Sequence, residues 1–314
     1  MSPELKNISV VTACFNEEYN IRDIYEQVKS VFCDLPQYNY EHIFIDNASA
    51  DQTVIILKEI AKTDRKVKII VNSRNFGHIR SPYHALLQAK GEAVISIVAD
   101  LQDPPILIKD FIKKWEEGYK IVIGVKTKSE ESPLFFAIRK AYYNLVGRLS
   151  EIELIKNFTG FGLYDQKVIE ILRGIEDPYP YFRGLICDIG FERAVVKYMQ
   201  PLRKRGFSKN NIYTLYDMAM LGITNHSKVP LRLATMTGFI VALMSLLVAL
   251  GYFGYKLIFW DNFQVGMAPL VIGLFFFTSV QLFFIGVIGE YVGAIHTQVL
   301  KRPLVVEKER VNFD

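Results

Sequence analysis

Two long stretches in the second half of this sequence contain no charged residue. They cover residues 233–255 and 267–289. Each is long enough to cross a hydrocarbon layer of roughly 30 Å as an α-helix, which takes about 20 residues. Two buried helices of a soluble bundle are the alternative, but uncharged runs of this length are rare in soluble cores. The sequence therefore predicts a membrane hairpin, and the position of both runs excludes a signal peptide.

The charges that flank these stretches predict the orientation of the hairpin. Lys228 and Arg232 precede the first stretch, Lys301 and Arg302 follow the second, and the connection 260–266 (WDNFQVG) holds one acid and no base. Because basic residues favour the cytosolic side, we expect an integral protein of the plasma (inner) membrane with both termini and the active site in the cytosol. The expected domains are a cytosolic domain at 1–229, two transmembrane helices within 230–299 and a cytosolic tail at 300–314.

Charge and cysteine content narrow the classes of partner and compartment. The formal net charge is +4, and basic residues cluster close to the predicted membrane, as in residues 203–205 (RKR). This pattern favours the lipid bilayer surface or a phosphate-bearing lipid over nucleic acid. Cys14, Cys33 and Cys187 have no metal or redox spacing, which indicates reduced thiols in a reducing compartment.

The first 125 residues alternate between apolar runs and helical patterns. Strands are predicted at residues 8–13, 42–45, 67–71, 93–98 and 121–125, and amphipathic helical spacing separates the first four runs. Such alternation predicts an α/β fold with a mostly parallel sheet covered by helices.

Polar residues follow the predicted strands, where α/β sheets bind their ligands. No G-x-G-x-x-G follows the first strand, which disfavours a nicotinamide dehydrogenase. The loops instead offer side chains that suit a base, a ribose and a divalent cation: Asn16, Glu17, Asp46, Asn47, Asp100 and Gln102. By itself, the stretch 99–105 (ADLQDPP) is equally compatible with a polar turn that the two prolines enforce.

Four motifs occur in an order that resembles family 2 glycosyltransferases, and the polyprenyl-phosphate branch most of all. They are CFNEEYNI at 14–21, DNASADQT at 46–53, SRNFGH at 73–78 and ADLQDPP at 99–105. The segment 289–296 (GEYVGAIH) resembles the end of the membrane-anchored bacterial members, so the likeness covers nearly the whole chain. It implies a GT-A-like nucleotide-sugar-binding sheet, a nucleotide-sugar donor, a polyprenyl phosphate acceptor, Mg²⁺ or Mn²⁺, and a homo-oligomer such as a tetramer.

The resemblance also implies roles for individual residues. It places the cation on Asp100 and Gln102, and catalytic roles on Asp100, Lys126 and Arg139. The residues implied for donor binding are Ala13, Asn16, Glu17, Asp46, Asn47, Arg74, Asn75, Gly77 and His78. Those implied for acceptor binding are Lys126, Arg139, Tyr143, Arg183, Arg205, Ser208 and Lys209; a solvated basic loop is the alternative for Arg183 and for residues 205–209.

Residues 133–154 predict an amphipathic helix, and interfacial helices of this kind are expected within about 130–229. Large apolar residues beside basic ones suggest that the helix lies on the membrane surface, although a core-facing helix fits the same pattern. Arg139 and Tyr143 are four residues apart and share a face, whereas Arg148 points to nearly the opposite side. Arg139 is therefore the candidate for contact with the reacting phosphate.

Two acids usual in the family are replaced here, by Val98 and by Gly160. Asp103 is expected to cap the next helix, and Asp165 to cap or pair. A lipid phosphate is already anionic at neutral pH, since its second pKa is about 6, so it needs no general base. The sequence thus favours an inverting transferase that moves one sugar from a nucleotide diphosphate sugar, UDP-linked by preference, to a polyprenyl phosphate such as undecaprenyl phosphate, for cell-envelope glycans. The alternatives are a transferase that extends a lipid-linked glycan and a non-catalytic nucleotide-sugar-binding scaffold.

Overall fold

The structure is a computed structural model that describes residues 5–127, 155, 157–201, 220–221, 227, 229–259 and 267–313. The helix predicted at 133–154 lies outside the described residues. Five of the predicted site residues also lie outside the described residues: Arg139, Tyr143, Arg205, Ser208 and Lys209.

One eight-stranded sheet forms the centre of the N-terminal domain, in the order β7-β5-β6-β4-β1-β2-β3-β8. The strands are β1 (Lys6–Cys14), β2 (Tyr38–Asp46), β3 (Val67–Asn72), β4 (Ala93–Val98), β5 (Ile121–Lys126), β6 (Phe158–Asp165), β7 (Arg193–Tyr198) and β8 (Glu307–Val311). Four of the seven pairings are parallel, and β6 and β8 account for the antiparallel ones. The prediction of a mostly parallel α/β sheet is confirmed.

Helices cover both faces of this sheet. They are α1 (Ile21–Cys33), α2 (Thr53–Thr63), α3 (Gly77–Gln88), α4 (Ile108–Glu116), α5 (Gln166–Gly174) and α6 (Phe182–Asp188). On β1, Ile8 and Val10 belong to the apolar core beneath α1, α2 and α4, whereas Val11 belongs to the core beneath α3, α5 and α6. Alternation along a buried strand supplies both cores, and it leaves the strand ends as the place for polar groups.

Strand β6 was not predicted, because its two glycines read as a turn. Gly162 lies so close to β5 that a Cβ there would come within 2.4 Å of the Val122 carbonyl oxygen. Glycine thus permits the close approach of two strands. At the far end of β6, Asp165 accepts hydrogen bonds from Trp115 Nε1 (2.8 Å), Lys120 Nζ (2.9 Å) and the Lys167 N–H (3.1 Å). The expectation that Asp165 caps or pairs is therefore confirmed.

Two long apolar helices follow, α7 (Val229–Ile258) and α8 (Met267–Val299). Their spans Val229–Tyr255 and Gly273–Val299 are long and apolar enough to cross a membrane, and the most apolar part of each has no residue buried within the described structure. Helices of a soluble core would be buried, so this exposure favours the membrane hairpin over that alternative. The pair is compatible with anchoring in a membrane.

The predicted tail contributes strand β8, which pairs antiparallel with β3 at the edge of the sheet. An ion pair joins Glu309 to Lys58 and a hydrogen bond joins Glu307 to His84, both at 2.6 Å. The Asn312 side chain donates to the carbonyls of Ala61 and Val67, each at 2.9 Å. The segment that follows α8 is therefore part of the same folded body as β1.

Candidate active site

The loops after β1, β2 and β4 meet at one edge of the sheet. In the parallel register Cys14 lies beside Asp46, and Ala13 lies beside Val98. The polar residues that follow these strands are therefore neighbours, as the sequence predicted from the carboxyl-edge rule.

The first two loops interlock through hydrogen bonds. The Asn16 N–H donates to Ser49 Oγ, and Asn16 Oδ1 accepts from the Ala50 N–H, both at 2.8 Å. The Glu17 N–H donates to Thr53 Oγ1 at 2.9 Å. Asn16 adopts a φ of 55°, a left-handed conformation that asparagine tolerates better than most residues. This residue shapes the loop and remains exposed to solvent.

Asp46 is completely buried at the end of β2. It accepts hydrogen bonds from the Ser49 N–H (2.9 Å) and from the Ser49 hydroxyl. Burial raises the pKa of Asp46, although the bonds from Ser49 oppose the shift. Burial also raises the pKa of the neighbouring Cys14 thiol, with the charge of Asp46 as the next cause. In this arrangement Asp46 holds the second loop, and its predicted contact with a nucleotide stays a prediction.

Asn47 connects the second loop to the third. Its Oδ1 accepts from the Asn72 side chain (3.2 Å) and the Phe76 N–H (2.9 Å). Its Nδ2 donates to Asn75 Oδ1 (2.9 Å) and the Gly77 carbonyl (3.1 Å). Both N–H donors and both acceptor positions of the Asn47 amide are thus used, so this side chain holds the second and third loops together.

The third loop places basic side chains at the start of α3. The Arg74 guanidinium stacks 4.0 Å from the centre of the Phe76 ring, and His78 is exposed on the first turn. Gly77 has a φ of +86°, which glycine adopts without strain. Backbone N–H groups at a helix start also favour anions, so this loop is suited to a phosphate group.

The fourth loop carries the residues predicted to hold a cation. Asp100 Oδ1 accepts the Gln102 N–H at 3.1 Å, and both side chains are partly exposed. A carboxylate and an amide carbonyl are oxygen ligands that hard cations such as Mg²⁺ and Mn²⁺ accept. Within the described part of the chain no three His, Cys, Asp or Glu residues are grouped as a metal centre. The donor set fits a cation that completes its coordination with phosphate oxygens and water.

The expectation that Asp103 caps a helix is wrong. The short 3-10 turn Pro105–Leu107 and α4 both begin without a side-chain cap. Asp103 is buried instead and accepts a hydrogen bond from the Tyr198 hydroxyl at the end of β7. Burial raises the pKa of Asp103 to about 6, while the Tyr198 bond and then the charge of Lys126 lower it.

Two predicted cations lie at this same end of the sheet. Lys126 ends β5, and its N–H donates to the Asn157 carbonyl at 3.4 Å. Arg183 Nη1 donates to the neighbouring Phe158 carbonyl, also at 3.4 Å. The structure therefore brings Lys126 and Arg183 to the same edge of the sheet as Asp100, Gln102 and Asp103. Sequence reasoning missed Tyr198, because it stands in no motif and lies 95 residues from its partner.

The sequence matches one family profile, described as Glycosyl transferase family 2, over residues 9–172, just over half of the chain. The chain belongs to glycosyltransferase family 2. The matched region contains the four polar loops and ends in α5.

Relatives of this glycosyltransferase extend over nearly its whole length. The glycosyltransferase YkcC of Bacillus subtilis is 35% identical over 98% of this chain and 94% of its own. A bactoprenol glucosyl transferase of Shigella flexneri, derived from prophage SfII, is 33% identical over 96% of this chain and 97% of its own. These matches include the hairpin as well as the catalytic domain.

The glycosyltransferase fold is also found among solved structures. Glucosyl-3-phosphoglycerate synthase of Mycobacterium tuberculosis, crystallised with Mn²⁺, UDP and phosphoglyceric acid, superposes with a TM-score of 0.51 at 18% identity. The match covers 70% of this chain and 76% of the synthase. At this level of identity the likeness establishes the shared fold.

Proposed function

We propose that this glycosyltransferase moves one sugar from a UDP-sugar to a polyprenyl phosphate at the cytosolic face of the plasma (inner) membrane. The observation that carries the proposal is the meeting of two kinds of group at one sheet edge. Oxygen ligands on Asp100 and Gln102 suit a cation, which in turn would suit the diphosphate of the donor. Lys126 and Arg183 supply positive charge at the same sheet edge. The bactoprenol glucosyl transferase relative, which matches the hairpin too, supports a lipid acceptor.

The donor side would use the first four loops. Asp100 and Gln102 would hold Mg²⁺ or Mn²⁺, which would neutralise charge on the diphosphate leaving group. Arg74 and His78 stand at the start of α3, where they would face phosphate oxygens. Asn16 and Glu17 would contact the nucleoside, while Asp46 and Asn47 keep the loops in place. Ala13 and Asn75 would act through the backbone that they shape.

The acceptor side needs cations more than a base. A lipid phosphate monoester is anionic near neutral pH, so one of its oxygens attacks the anomeric carbon directly. The bond between that carbon and the diphosphate oxygen breaks, UDP departs with the electron pair, and the anomeric configuration inverts. Lys126 and Arg183 would shield the repulsion between the two anions. Arg139, Tyr143, Arg205, Ser208 and Lys209 remain sequence-based candidates for the same task, since they lie outside the described residues.

The residue at position 160, a glycine, is compatible with an acceptor that needs no general base. The resemblance to the family implies that an acid is usual at or just before this position, and the φ of +103° at Gly160 favours glycine. A sugar hydroxyl would require a general base, whereas a phosphate would not. The glycine in place of the acid therefore supports a phosphate acceptor over extension of a lipid-linked glycan.

The test is an assay of the purified full-length protein with a panel of labelled UDP- and GDP-sugars. Each donor is offered undecaprenyl phosphate, a preformed lipid-linked sugar or no acceptor, with Mg²⁺ or Mn²⁺. We expect one UDP-sugar to yield a labelled polyprenyl monophosphate sugar of inverted configuration. Product formed only on the lipid-linked sugar would favour the extending transferase, and donor binding without any product would favour the scaffold.

A further inference from the structure

A basic cavity lies next to the third loop, where α8 ends against the N-terminal domain. It has a volume of 250 Å³ and is lined by α3 through Arg80, by the loop before α6 through Tyr179, and by the end of α8 and the segment that follows through His296, Thr297 and Arg302. One water needs only roughly 10–15 Å³, so the cavity has room for a phosphate group.

Arg80 is only partly satisfied in this cavity. Its Nη2 donates to the Pro303 carbonyl, and its guanidinium lies 5.3 Å from the centre of the Phe76 ring. Its Nε is buried and has no acceptor among the residues that the structure describes. A buried donor without a partner destabilises the folded protein, and a bound acceptor would remove that penalty.

Positive charges converge on the same point. Burial lowers the pKa of Arg80, and the charges of Arg74 and Arg302 lower it further. Two carboxylates of the adjoining loop already have partners: Glu176 pairs with Lys301 at 3.6 Å, and Asp177 accepts from the Tyr179 N–H and from Gln298 Nε2, both at 2.8 Å. The cluster therefore favours an anion.

The position of the cavity indicates what carries that anion. The apolar span of α8 ends at Val299, and His296 to Arg302 bracket this end. If the hairpin is anchored as proposed above, these residues lie at the level of the lipid headgroups. Basic pockets at such positions are typical sites for phosphate headgroups.

We propose that the cavity between Arg80 and Arg302 binds the phosphate group of a lipid beside α8, at a site that shares no lining residue with the candidate active site. Arg302 and Arg80 contact the phosphate oxygens, and Arg80 Nε gains its missing acceptor. A bulk anionic phospholipid and a prenyl phosphate share this chemistry, and binding experiments distinguish them. The inference rests on the proposed membrane anchoring and not on the transfer reaction.

The test is titration calorimetry of the full-length protein in a neutral detergent. The probes are dihexanoyl phosphatidylglycerol, farnesyl phosphate, inorganic phosphate and, as the zwitterionic control, dihexanoyl phosphatidylcholine. The variant is Arg302→Gln, with Arg302→Lys to restore charge and Lys301→Gln as the matched control. Lys301 is the adjacent cation, but its side chain is 77% exposed and does not line the cavity.

We expect Arg302→Gln to weaken binding of at least one phosphate lipid about tenfold or more, the scale of a lost charged hydrogen bond. Arg302→Lys should recover part of the affinity, and Lys301→Gln should leave it unchanged. Tighter binding of farnesyl phosphate would assign the site to a prenyl phosphate, and tighter binding of phosphatidylglycerol would assign it to bulk phospholipid.

Three results would overturn the inference. They are equal losses in Arg302→Gln and Lys301→Gln, binding of phosphatidylcholine as tight as that of the anionic lipids, and binding of inorganic phosphate as tight as that of any lipid. Sugar transfer is measured in parallel. Lipid binding that depends on Arg302 in a protein without transfer activity would support this site and contradict the proposed function.

Discussion

At the scale of single residues, one hydrogen bond joins the fourth loop, which follows β4, to the edge strand β7. Asp103 follows β4, and Tyr198 ends β7, which pairs with β5 and thereby with Lys126. The Tyr198 ring also packs edge-on against Phe161 of β6, with 5.5 Å between the ring centres. We expect these contacts of Tyr198 to hold the proposed donor and acceptor groups in position relative to each other.

We therefore expect Tyr198→Phe to destabilise the protein by about 1–3 kcal/mol, because a buried carboxylate loses its donor. Transfer should fall about 10–100-fold as well, since small displacements in an active site are costly. The matched control is Tyr83→Phe, which removes a buried hydroxyl bonded to the Leu172 carbonyl, 3.0 Å away and outside the site. Thermal unfolding and kcat are measured for both. Equal effects on kcat would refute the positioning role of Tyr198.

A second residue-scale prediction concerns the cation. Asp100→Ala should abolish cation-dependent donor binding and lower transfer by about a hundredfold or more, the scale of one lost electrostatic contact in the transition state. Asp110→Ala removes an exposed carboxylate from the first turn of α4 and serves as the control. Calorimetry with UDP-sugar, with Mg²⁺ and after chelation, provides the measurement. Unchanged donor binding in Asp100→Ala would remove the cation from this loop.

Residue types at the strand ends were predictable from the sequence, but their orientation was not. The carboxyl-edge rule identified Asp46, Asn47, Asp100 and Asp103 as polar groups beside a cleft. Whether such a group faces the ligand or the protein depends on partners far along the chain, such as Ser81 and Asn72 behind Asn47. For this reason the sequence predicts a helix cap at Asp103, although the structure bonds this residue to Tyr198 of β7.

At the scale of elements, β8 carries the least expected contribution. Its sequence EKERV has no apolar alternation, because an edge strand leaves most of its side chains in water. Pairing with β3 comes from backbone hydrogen bonds and a few flanking contacts across more than 230 residues of chain. A local sequence pattern cannot reveal a pairing partner so far along the chain. In the same way, the glycines of β6 read as a turn, although β6 is a strand between β4 and β5.

Removal of residues 307–314 should lower the melting temperature by about 5–10 °C, as expected for a loss of a few kcal/mol in a domain of this size. The deletion leaves the β3 backbone unpaired along one side. Lys58→Gln breaks only the exposed ion pair to Glu309 and should change the melting temperature by less than about 2 °C. Scanning calorimetry of both variants distinguishes the strand from its charges; similar small shifts would mean that β8 contributes little.

At the scale of the whole molecule, the hairpin is inserted into the chain of the catalytic domain. The Tyr291 hydroxyl of α8 donates to the Ser227 carbonyl at 2.6 Å, just before α7. Val299 lies eight residues farther along α8, about 12 Å at 1.5 Å per residue. The two points where the chain enters and leaves the hairpin are therefore close together.

This proximity predicts that a soluble catalytic domain can be made by replacement and not by truncation. A Gly/Ser linker of about 20 residues, with a typical span of about 25 Å, can substitute for residues 230–302 and retain β8. We expect this variant to bind UDP-sugar like the full-length protein, whereas truncation after residue 229 also removes β8 and lowers stability. Thermal unfolding and donor titration compare the two. Loss of donor binding in the linker variant would show that the hairpin shapes the site.

The arrangement of β8 has a mechanical consequence. A rigid body attached at one flexible point keeps three rotational freedoms, but a body attached at two points keeps only rotation about the line that joins them. The chain meets the hairpin once before α7 and once after α8, and β8 fixes the second junction to the sheet within a few residues. With the hairpin in a bilayer, the catalytic domain would tilt about one axis only, so the mouth of the site would approach and leave the membrane along a single arc.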